Sequence, residues 1–382
     1  MHYQTIVLSG GGAKGPYGLG VMLALQKYHN ERKLTVAKIY CGTSVGALNA
    51  TLAAQGDLDL LTTLYSQIHT QHILGVAESK LSRLRMALVS SDRPFSYFKN
   101  VALKSTIEKY AKFEKLSDAH LLICATNYKT GDLETFYISK VIDDFLDHEK
   151  SHPEEMRRMA NYHKIKSQDE LVQALLASTA IPFYLPPVAI GNRLYVDGGV
   201  GNNTPLKQAA YISRFLNCRA GTQLQPTLCV INDPIRFTIG PEEFNDAFGV
   251  IRRTMDIYHN ELVSDVHLSW DRINNEVKLG EDRENRLISQ LQGLDMVPAE
   301  KRAELVDLVK ESLGATSTST PRCHLPLMVV RPTTPLIDDI LHFHPVNAQR
   351  LKLQGVADCL NLLAHRDYIT PHNQRRWTEE IE

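Results

Sequence analysis

The sequence has almost no net charge, because 42 Lys and Arg residues balance 43 Asp and Glu residues, for a formal charge of −1 at pH 7. A nucleic-acid-binding protein usually carries a basic surface that neutralises phosphates, so this balance predicts no nucleic-acid partner. One local exception is the basic segment 80–85, which fits either a contact with anionic lipid headgroups or a solvated helix face.

The sequence also lacks long apolar runs. No stretch reaches the roughly 18 residues that a helix needs to cross a bilayer. The first residues lack the basic stretch and apolar run of a secretory signal. We therefore expect a cytoplasmic protein that could touch a membrane only peripherally.

Cysteine pairs with the spacing of metal ligands are missing as well. No C-x-x-C pair and no close Cys/His cluster occurs, so we expect no metal and no cofactor. Several cysteines lie within apolar segments, which predicts buried free thiols in a reducing compartment. The six cysteines are Cys41, Cys124, Cys218, Cys229, Cys323 and Cys359.

Hydrophobic periodicity predicts an α/β fold. Residues 3–56 follow the order strand, turn, helix twice over, which is typical of the start of a right-handed parallel sheet. Further apolar segments resume this sheet character up to residue 232 and again from residue 325. We predict a central, mostly parallel sheet flanked by helices, with its core in residues 1–232 and 325–365.

Two helical sections interrupt this core. Residues 57–116 show the spacing of an amphipathic helix, and the section could serve as a lid over the site or as simple scaffold. Residues 233–324 form a helical, charged excursion from the core. That excursion could carry a regulatory or oligomerisation surface, although its periodicity requires only a packed pair of helices.

The first chemical signal is a G-x-S-x-G motif formed by Gly42, Ser44 and Gly46. It follows an apolar strand and leads into a helix-forming segment. Glycine on either side of the serine permits a strained turn and the close approach of neighbouring segments. The serine oxygen then projects above the first amides of a helix, where the helix dipole favours negative charge. This pattern predicts that Ser44 is a nucleophile.

The second signal is the glycine-rich turn Gly10, Gly11 and Gly12, followed by Lys14. Acyl transfer needs preorganised donors for the oxyanion of the tetrahedral intermediate. Three consecutive glycines let backbone N–H groups converge on one point without Cβ obstruction. Lys14 could add positive charge beside that point, or could be a solvated lysine of the turn.

The same turn also fits a different class of enzyme. Gly10-x-Gly12-x-x-Gly15 after a strand matches a dinucleotide-binding fingerprint, with Glu31 near the position of a ribose-binding acid. A dinucleotide-binding oxidoreductase is therefore the alternative function. A P-loop is excluded, because no Ser or Thr follows the lysine.

A serine nucleophile needs a base, and Asp197 is the best candidate. It ends a short strand and is followed by glycines that would let another backbone pass close by. The competing interpretation is an Asx-type turn that begins at this aspartate. A hydrolase triad would instead recruit a histidine after Asp197, but Ser44 lies too early in the chain for that fold. The formal options are His259, His267, His324, His342, His344, His365 and His372.

These segments resemble the signature blocks of the patatin-like phospholipase family, in its bacterial form. The glycine turn, the G-x-S-x-G motif and Asp197-Gly198-Gly199 match three blocks, and the segment 177–182, Ala-Ser-Thr-Ala-Ile-Pro, is similar to a fourth. The resemblance covers most of residues 3–232 and, more loosely, 325–363.

The resemblance implies a three-layer fold and a Ser–Asp dyad, with Ser44 as nucleophile and Asp197 as base. It places the oxyanion hole at Gly10, Gly11, Gly12 and Lys14. The implied activity is phospholipase A-type cleavage of acyl esters through an acyl-serine, without metal. A membrane phospholipid is the implied substrate, and neither an activating ligand nor a homo-oligomer can be deduced. A non-catalytic scaffold with this core is a third possibility.

A Ser–Asp dyad raises a physical question. An aspartate with a pKa near 3.9 is a poor base for an alcohol. Burial away from water raises such a pKa, and a strongly stabilised oxyanion lowers the demand on the base.

Overall fold

The computed structural model describes residues 2–75, 96, 98–149, 161–217, 222–234, 247–293, 298–314, 324–337 and 339–381. The basic segment 80–85, Cys218, Cys323 and residues 76–95 of the candidate lid lie outside these residues. In the described part, no helix is both long and apolar enough to span a membrane.

The described strands form one ten-stranded sheet with the principal order β10-β9-β1-β2-β3-β4-β5. Strand β8 also pairs with β1, and β7 pairs with both β3 and β6. Most of these pairings are parallel, while β3–β4, β3–β7 and β6–β7 are antiparallel. The strands are β1 His2–Leu8, β2 Ala37–Thr43, β3 His120–Asn127, β4 Leu133–Ile138, β5 Tyr162–Lys164, β6 Val188–Ile190, β7 Arg193–Asp197, β8 Gln223–Leu224, β9 Thr227–Val230 and β10 Leu327–Val330.

Helices cover both faces of this sheet. They are α1 Gly15–Glu31, α2 Val45–Ala54, α3 Leu58–Gln67, α4 Thr70–Leu74, α5 Val101–Tyr110, α6 Lys140–Glu149, α7 Gln168–Ser178, α8 Gly199–Asn202, α9 Leu206–Asn217, α10 Ala247–Gln292, α11 Ala299–Gly314, α12 Pro345–His365 and α13 Pro371–Ile381. Short 3-10 turns occur at Gly12–Lys14 and Phe113–Leu116.

The strands bury alternate residues in two separate cores, as period-two side-chain alternation requires. Leu121 and Ile123 of β3 belong to the core that contains α1, α2, α3, α7 and α12. Leu122 and Cys124 of the same strand belong to the core that contains α6 and α9. Helix, sheet and helix thus form three layers, and the predicted α/β fold with a mostly parallel central sheet is confirmed.

Four cysteines in the described residues are buried and free. They are Cys41, Cys124, Cys229 and Cys359. The prediction of buried free thiols is confirmed for these four.

Strand β3 brings two distant parts of the chain together. Strand β2 runs parallel to β3 and ends with Thr43 paired to Cys124. Strand β7 runs antiparallel to β3 and ends with Asp197 paired to Ala125, the next residue of β3. The carboxyl ends of β2 and β7 therefore meet head-on at neighbouring positions of one strand.

The section 233–324 includes α10, a helix of 46 residues. A helix of that length extends for about 69 Å. Helix α11 packs beside it. Trp270 donates from Nε1 to the Leu325 carbonyl at 2.8 Å, and Asn274 donates to the same oxygen at 2.8 Å. The long helix is thereby attached to the core just before β10, while its regulatory or oligomerisation role stays a prediction.

The described part of the section 57–116 packs against the sheet. Leu61 and Tyr65 of α3 and Leu103 and Ile107 of α5 are buried in the larger core. These helices are thus part of the scaffold, and a lid function stays a prediction.

Candidate active site

Ser44 lies at a sharp turn between the last residue of β2 and the first residue of α2. Its backbone has φ 55° and ψ −127°, a conformation that side-chain-bearing residues rarely adopt. Such a residue costs roughly 1–3 kcal/mol and tends to occur at functional sites. The surrounding structure buries Ser44 and holds this conformation.

Gly42 and Gly46 occupy positions where no side chain fits. A Cβ atom on Gly42 would lie 2.4 Å from the carbonyl oxygen of Gly46. A Cβ atom on Gly46 would lie 2.2 Å from the carbonyl oxygen of Leu8 in β1. The turn therefore packs directly against the backbone of its own helix and of β1. This close packing leaves no space for a side chain at either glycine.

Asp197 is buried at the end of β7. Loss of hydration raises the pKa of its carboxyl to about 7, although hydrogen bonding from Ser44 and from the Gly199 amide lowers it in part. The Ser44 hydroxyl lies beside the carboxyl but short of full hydrogen-bond geometry, so that Oδ2 has no partner among the described residues. Catalytic hydrogen bonds are often loose before substrate binds.

The other carboxylate oxygen of Asp197, Oδ1, binds a backbone amide. Oδ1 accepts a hydrogen bond from the Gly199 N–H at 2.7 Å, which is the Asx-type turn considered above. The structural and the chemical interpretations of this residue are therefore compatible, because each uses a different carboxylate oxygen. The turn fixes the carboxyl and leaves Oδ2 available.

Ser178 and Ala180 connect the two halves of the site. The Ser44 N–H donates to Ser178 Oγ at 3.0 Å, and this hydroxyl donates to the Cys124 carbonyl at 2.7 Å. The Asp197 N–H donates to the Ala180 carbonyl at 2.9 Å. Sequence reasoning noted this segment as a family resemblance, but its role in holding both residues was missed.

The glycine-rich turn lies directly beside Ser44. A Cβ atom on Gly10 would lie 3.2 Å from the Ser44 Cβ. The Gly10 N–H already donates to the Asn203 carbonyl at 3.1 Å, so it is not free to bind an oxyanion. The N–H groups of Gly11 and Gly12, at φ 150° and 54°, donate to no group that the structure describes. These two amides are the available donors.

Two asparagines that sequence reasoning missed hold this turn in place. Asn232 donates from Nδ2 to the carbonyl oxygens of Ser9 at 3.1 Å and Gly10 at 2.9 Å. The side-chain oxygen of Asn203 would lie 2.3 Å from a Cβ on Gly10. No periodicity or motif in the sequence singled out either residue.

Lys14 is buried and its ammonium group forms an ion pair with Asp233. It is therefore not a solvated lysine of the turn. Arg331 donates to the backbone carbonyl of Asp233 at 3.0 Å and so holds this partner. The pairing accounts for the charge of Lys14, and a direct part in oxyanion binding stays a prediction.

No histidine side chain that the structure describes joins this arrangement. Among the histidine side chains that the structure describes, none hydrogen-bonds to Ser44 or Asp197. His342 and His344 stack on one another, with ring centroids 6.2 Å apart. Within the described ranges, no group of three or more His, Cys, Asp or Glu residues is arranged to hold a metal ion.

Glu31 does not lie where a ribose-binding acid is needed. It is the last residue of α1, whereas the glycine turn lies at the start of this 17-residue helix. Such a helix is about 25 Å long. Glu31 pairs instead with Lys27 at 3.0 Å and Arg376 at 3.1 Å. The geometry does not support the dinucleotide-binding alternative.

Comparison with known proteins indicates which class of protein the chain resembles. A family model described as patatin-like phospholipase matches residues 6–210, more than half of the 382 residues. The chain is also similar to a protein of Invertebrate iridescent virus 6 named "Probable lipid hydrolase 463L", with 26% identity over 214 residues. That match covers 54% of this chain and 62% of the viral protein, so it spans less than two thirds of the relative.

Proposed function

The chain belongs to the patatin-like phospholipase family, and from this premise we propose that it is a lipid hydrolase of the phospholipase A type. Its substrate is the acyl ester of a membrane glycerophospholipid, reached by peripheral contact. The substrate class is supported by the family and by the name of the viral relative.

One observation carries the proposal: a strained serine lies beside a buried carboxyl whose pKa is raised to about 7. A general base works best when its pKa lies near the working pH. At neutral pH a large fraction of Asp197 is ionised, yet its carboxylate is far more basic than an ordinary one. Burial thus answers the objection that aspartate is too weak a base for an alcohol.

The reaction begins when Oδ2 of Asp197 accepts the proton of the Ser44 hydroxyl. Oγ of Ser44 then attacks the ester carbonyl carbon, and the carbonyl oxygen becomes an oxyanion. The N–H groups of Gly11 and Gly12 donate to this oxyanion, and the N-terminal end of α2, roughly half a positive charge, lies beneath it.

Collapse of the tetrahedral intermediate breaks the ester bond. The departing alcohol, a lysophospholipid, takes the proton from Asp197, and the acyl group stays on Ser44. Water then loses a proton to Asp197 and attacks the acyl-serine. The second tetrahedral intermediate releases the fatty acid, and Asp197 returns the proton to Oγ of Ser44, which restores both residues.

The test has two parts. A fluorophosphonate probe should label the wild-type protein and should fail to label Ser44→Ala. Ser66→Ala is the matched control, because Ser66 is an exposed serine whose hydroxyl bonds only to the Thr63 carbonyl at 2.7 Å. That variant should be labelled as the wild type is.

Incubation with defined phospholipid vesicles and mass spectrometry of the products is the second part. Equimolar fatty acid and lysophospholipid are the expected products. Labelling that persists in Ser44→Ala would show that Ser44 is not the nucleophile. Release of a phosphorylated headgroup in place of fatty acid would contradict phospholipase A activity.

A further inference from the structure

A cavity of about 590 Å³ lies among α2, α3, α4, α5 and α7, apart from the polar groups of the site. Its volume falls within the range of about 300–1,000 Å³ that is typical of small-molecule sites. We call it the helical cavity. Its position relative to Ser44 suggests what it holds.

The helical cavity begins one helical turn from the nucleophile. Leu48, Thr51 and Leu52 of α2 line it, and they follow Ser44 at the i+4, i+7 and i+8 positions. Residues at this spacing share one helix face, and their side chains tilt toward the helix N-terminus. One face of α2, the helix that Ser44 caps, therefore forms part of the cavity wall.

Helix α7 leads from the site to the same cavity. Ser178 accepts a hydrogen bond from the Ser44 N–H at 3.0 Å, and Leu175 lies three residues earlier on the same helix face. Leu175 lines the helical cavity. Both helices that contact the nucleophile thus continue into the cavity walls.

The lining is suited to an apolar ligand. Its buried aliphatic residues include Leu61, Leu103 and Ile107. The buried polar groups at its edge satisfy one another: Tyr65 donates to Asn49 Oδ1 at 2.7 Å, and Asn49 donates to the Gly15 carbonyl at 2.8 Å. No lining residue has a buried polar atom without a partner. The polar side chains of Gln67, Gln71 and Lys109 also line the cavity, and these residues are exposed to solvent.

We infer that the helical cavity holds the acyl chain of the substrate ester and sets the preferred chain length. The inference rests on the proposed function, because an ester held at Ser44 has an acyl chain that needs an apolar site, and both helices that contact Ser44 contribute residues to this cavity. The energetic reason is that the methylene groups of the acyl chain are buried away from water.

Two neighbouring residues of α5 allow a matched test. Ala102 lines the helical cavity, whereas the adjacent Val101 is 66% exposed and does not. Ala102→Trp places a large ring where the chain would lie. Val101→Trp places the same ring in solvent on the same helix.

The first measurement is the ratio of kcat/KM for nitrophenyl palmitate to kcat/KM for nitrophenyl butyrate. Ala102→Trp should lower this ratio about tenfold or more, because the indole ring occupies the volume that several methylene groups of the palmitoyl chain need. Val101→Trp should leave the ratio as in the wild type. An unchanged ratio in folded Ala102→Trp would overturn the inference, and Ala102→Leu serves as a milder variant.

The second measurement does not depend on hydrolysis. The fluorescent fatty acid cis-parinaric acid should bind Ser44→Ala, and binding should weaken about tenfold when Ala102→Trp is added but not when Val101→Trp is added. Equal binding in both double variants would overturn the inference. Failure of the proposed function would appear differently, as absence of turnover of every ester with binding still sensitive to Ala102→Trp.

Discussion

Ser44 and Asp197 come together because the strands that precede them end at consecutive positions of β3. Thr43 pairs with Cys124, and Asp197 pairs with Ala125. The spacing of the two functional groups therefore depends on backbone hydrogen bonds of a buried strand rather than on loop conformation. Sites built on strands are held more accurately than sites built on loops.

Replacement of either residue should abolish most of the activity. Ser44→Ala and Asp197→Asn should each lower kcat by roughly a thousandfold or more, as expected when one member of a catalytic unit is removed. Ester hydrolysis by purified, folded variants is the measurement. His342→Ala and His365→Ala should keep wild-type activity. A folded histidine variant as inactive as Ser44→Ala would contradict the dyad.

Activity should depend on the ionisation of Asp197. Because the pKa of its carboxyl is raised to about 7 and only the carboxylate accepts a proton, kcat/KM should rise about tenfold per pH unit below pH 7 and level off above it. A pH profile with a soluble short-chain ester tests this. A profile that is flat from pH 5 to 8 would show that another group acts as base.

The raised pKa of Asp197 also predicts how stability depends on pH. The free energy of unfolding should fall as the pH rises, whereas activity should increase. The unfolded carboxyl releases its proton near pH 3.8 and the folded one near pH 7, so between these values the folded state binds more protons. The stabilising contribution of the Asp197 carboxyl to the free energy of unfolding is complete below pH 3.8 and is lost as the pH rises to 7. At about 1.4 kcal/mol per pKa unit, the loss is roughly 4 kcal/mol.

Asp197→Asn removes that loss and keeps an oxygen for the Gly199 N–H. The variant should therefore be more stable than the wild type at pH 8, and the advantage should disappear near pH 4. Urea denaturation at the two pH values is the measurement. A variant that is less stable than the wild type at pH 8 would contradict the raised pKa.

Ser178 should position Ser44 without taking part in the reaction. Ser178→Ala leaves the Ser44 N–H and the Cys124 carbonyl without their partner, and a displacement of the nucleophile can cost up to about a hundredfold in kcat. KM and the pH profile should change little. Thr179→Ala is the control, because that hydroxyl bonds only within α7, to Leu175 at 2.8 Å and Leu176 at 3.2 Å. Equal losses of kcat in both variants would argue for a general effect on the helix.

Two glycine substitutions should act in opposite directions. Gly46→Ala places a Cβ atom 2.2 Å from a carbonyl oxygen of β1, so soluble folded protein should be lost. Gly280→Ala lies in the exposed middle of α10, where a Cβ meets nothing within 4 Å, and should stabilise the protein by up to about 1 kcal/mol. Thermal unfolding followed by circular dichroism measures both. A stable, folded Gly46→Ala would contradict the close contact with β1.

Sequence reasoning predicted the features that depend on local pattern. Alternation and strand-turn-helix order predicted the parallel sheet, and the residue types around Ser44 predicted a turn after β2. The structure shows Asp197 buried, which is the setting that raises the pKa of a carboxyl.

Other features depend on long-range contacts that no local pattern encodes. Asn203 uses its backbone carbonyl to bind the Gly10 N–H, a function open to any residue type. Asp233 was overlooked because its partner, Lys14, lies at the other end of the domain sequence. Glu31 had a plausible sequence spacing, but α1 continues to that residue and carries it away from the glycine turn.

The convergence of β2 and β7 on β3 also bears on biosynthesis. A chain leaving the ribosome completes the serine and its turn long before it contains the carboxylate. The proposed base joins only when β7 adds to β3, and the glycine turn gains Asn203 and Asn232 later still. Under the proposed mechanism, we therefore expect a nascent chain to be inactive toward lipid esters until translation has passed the last of these residues.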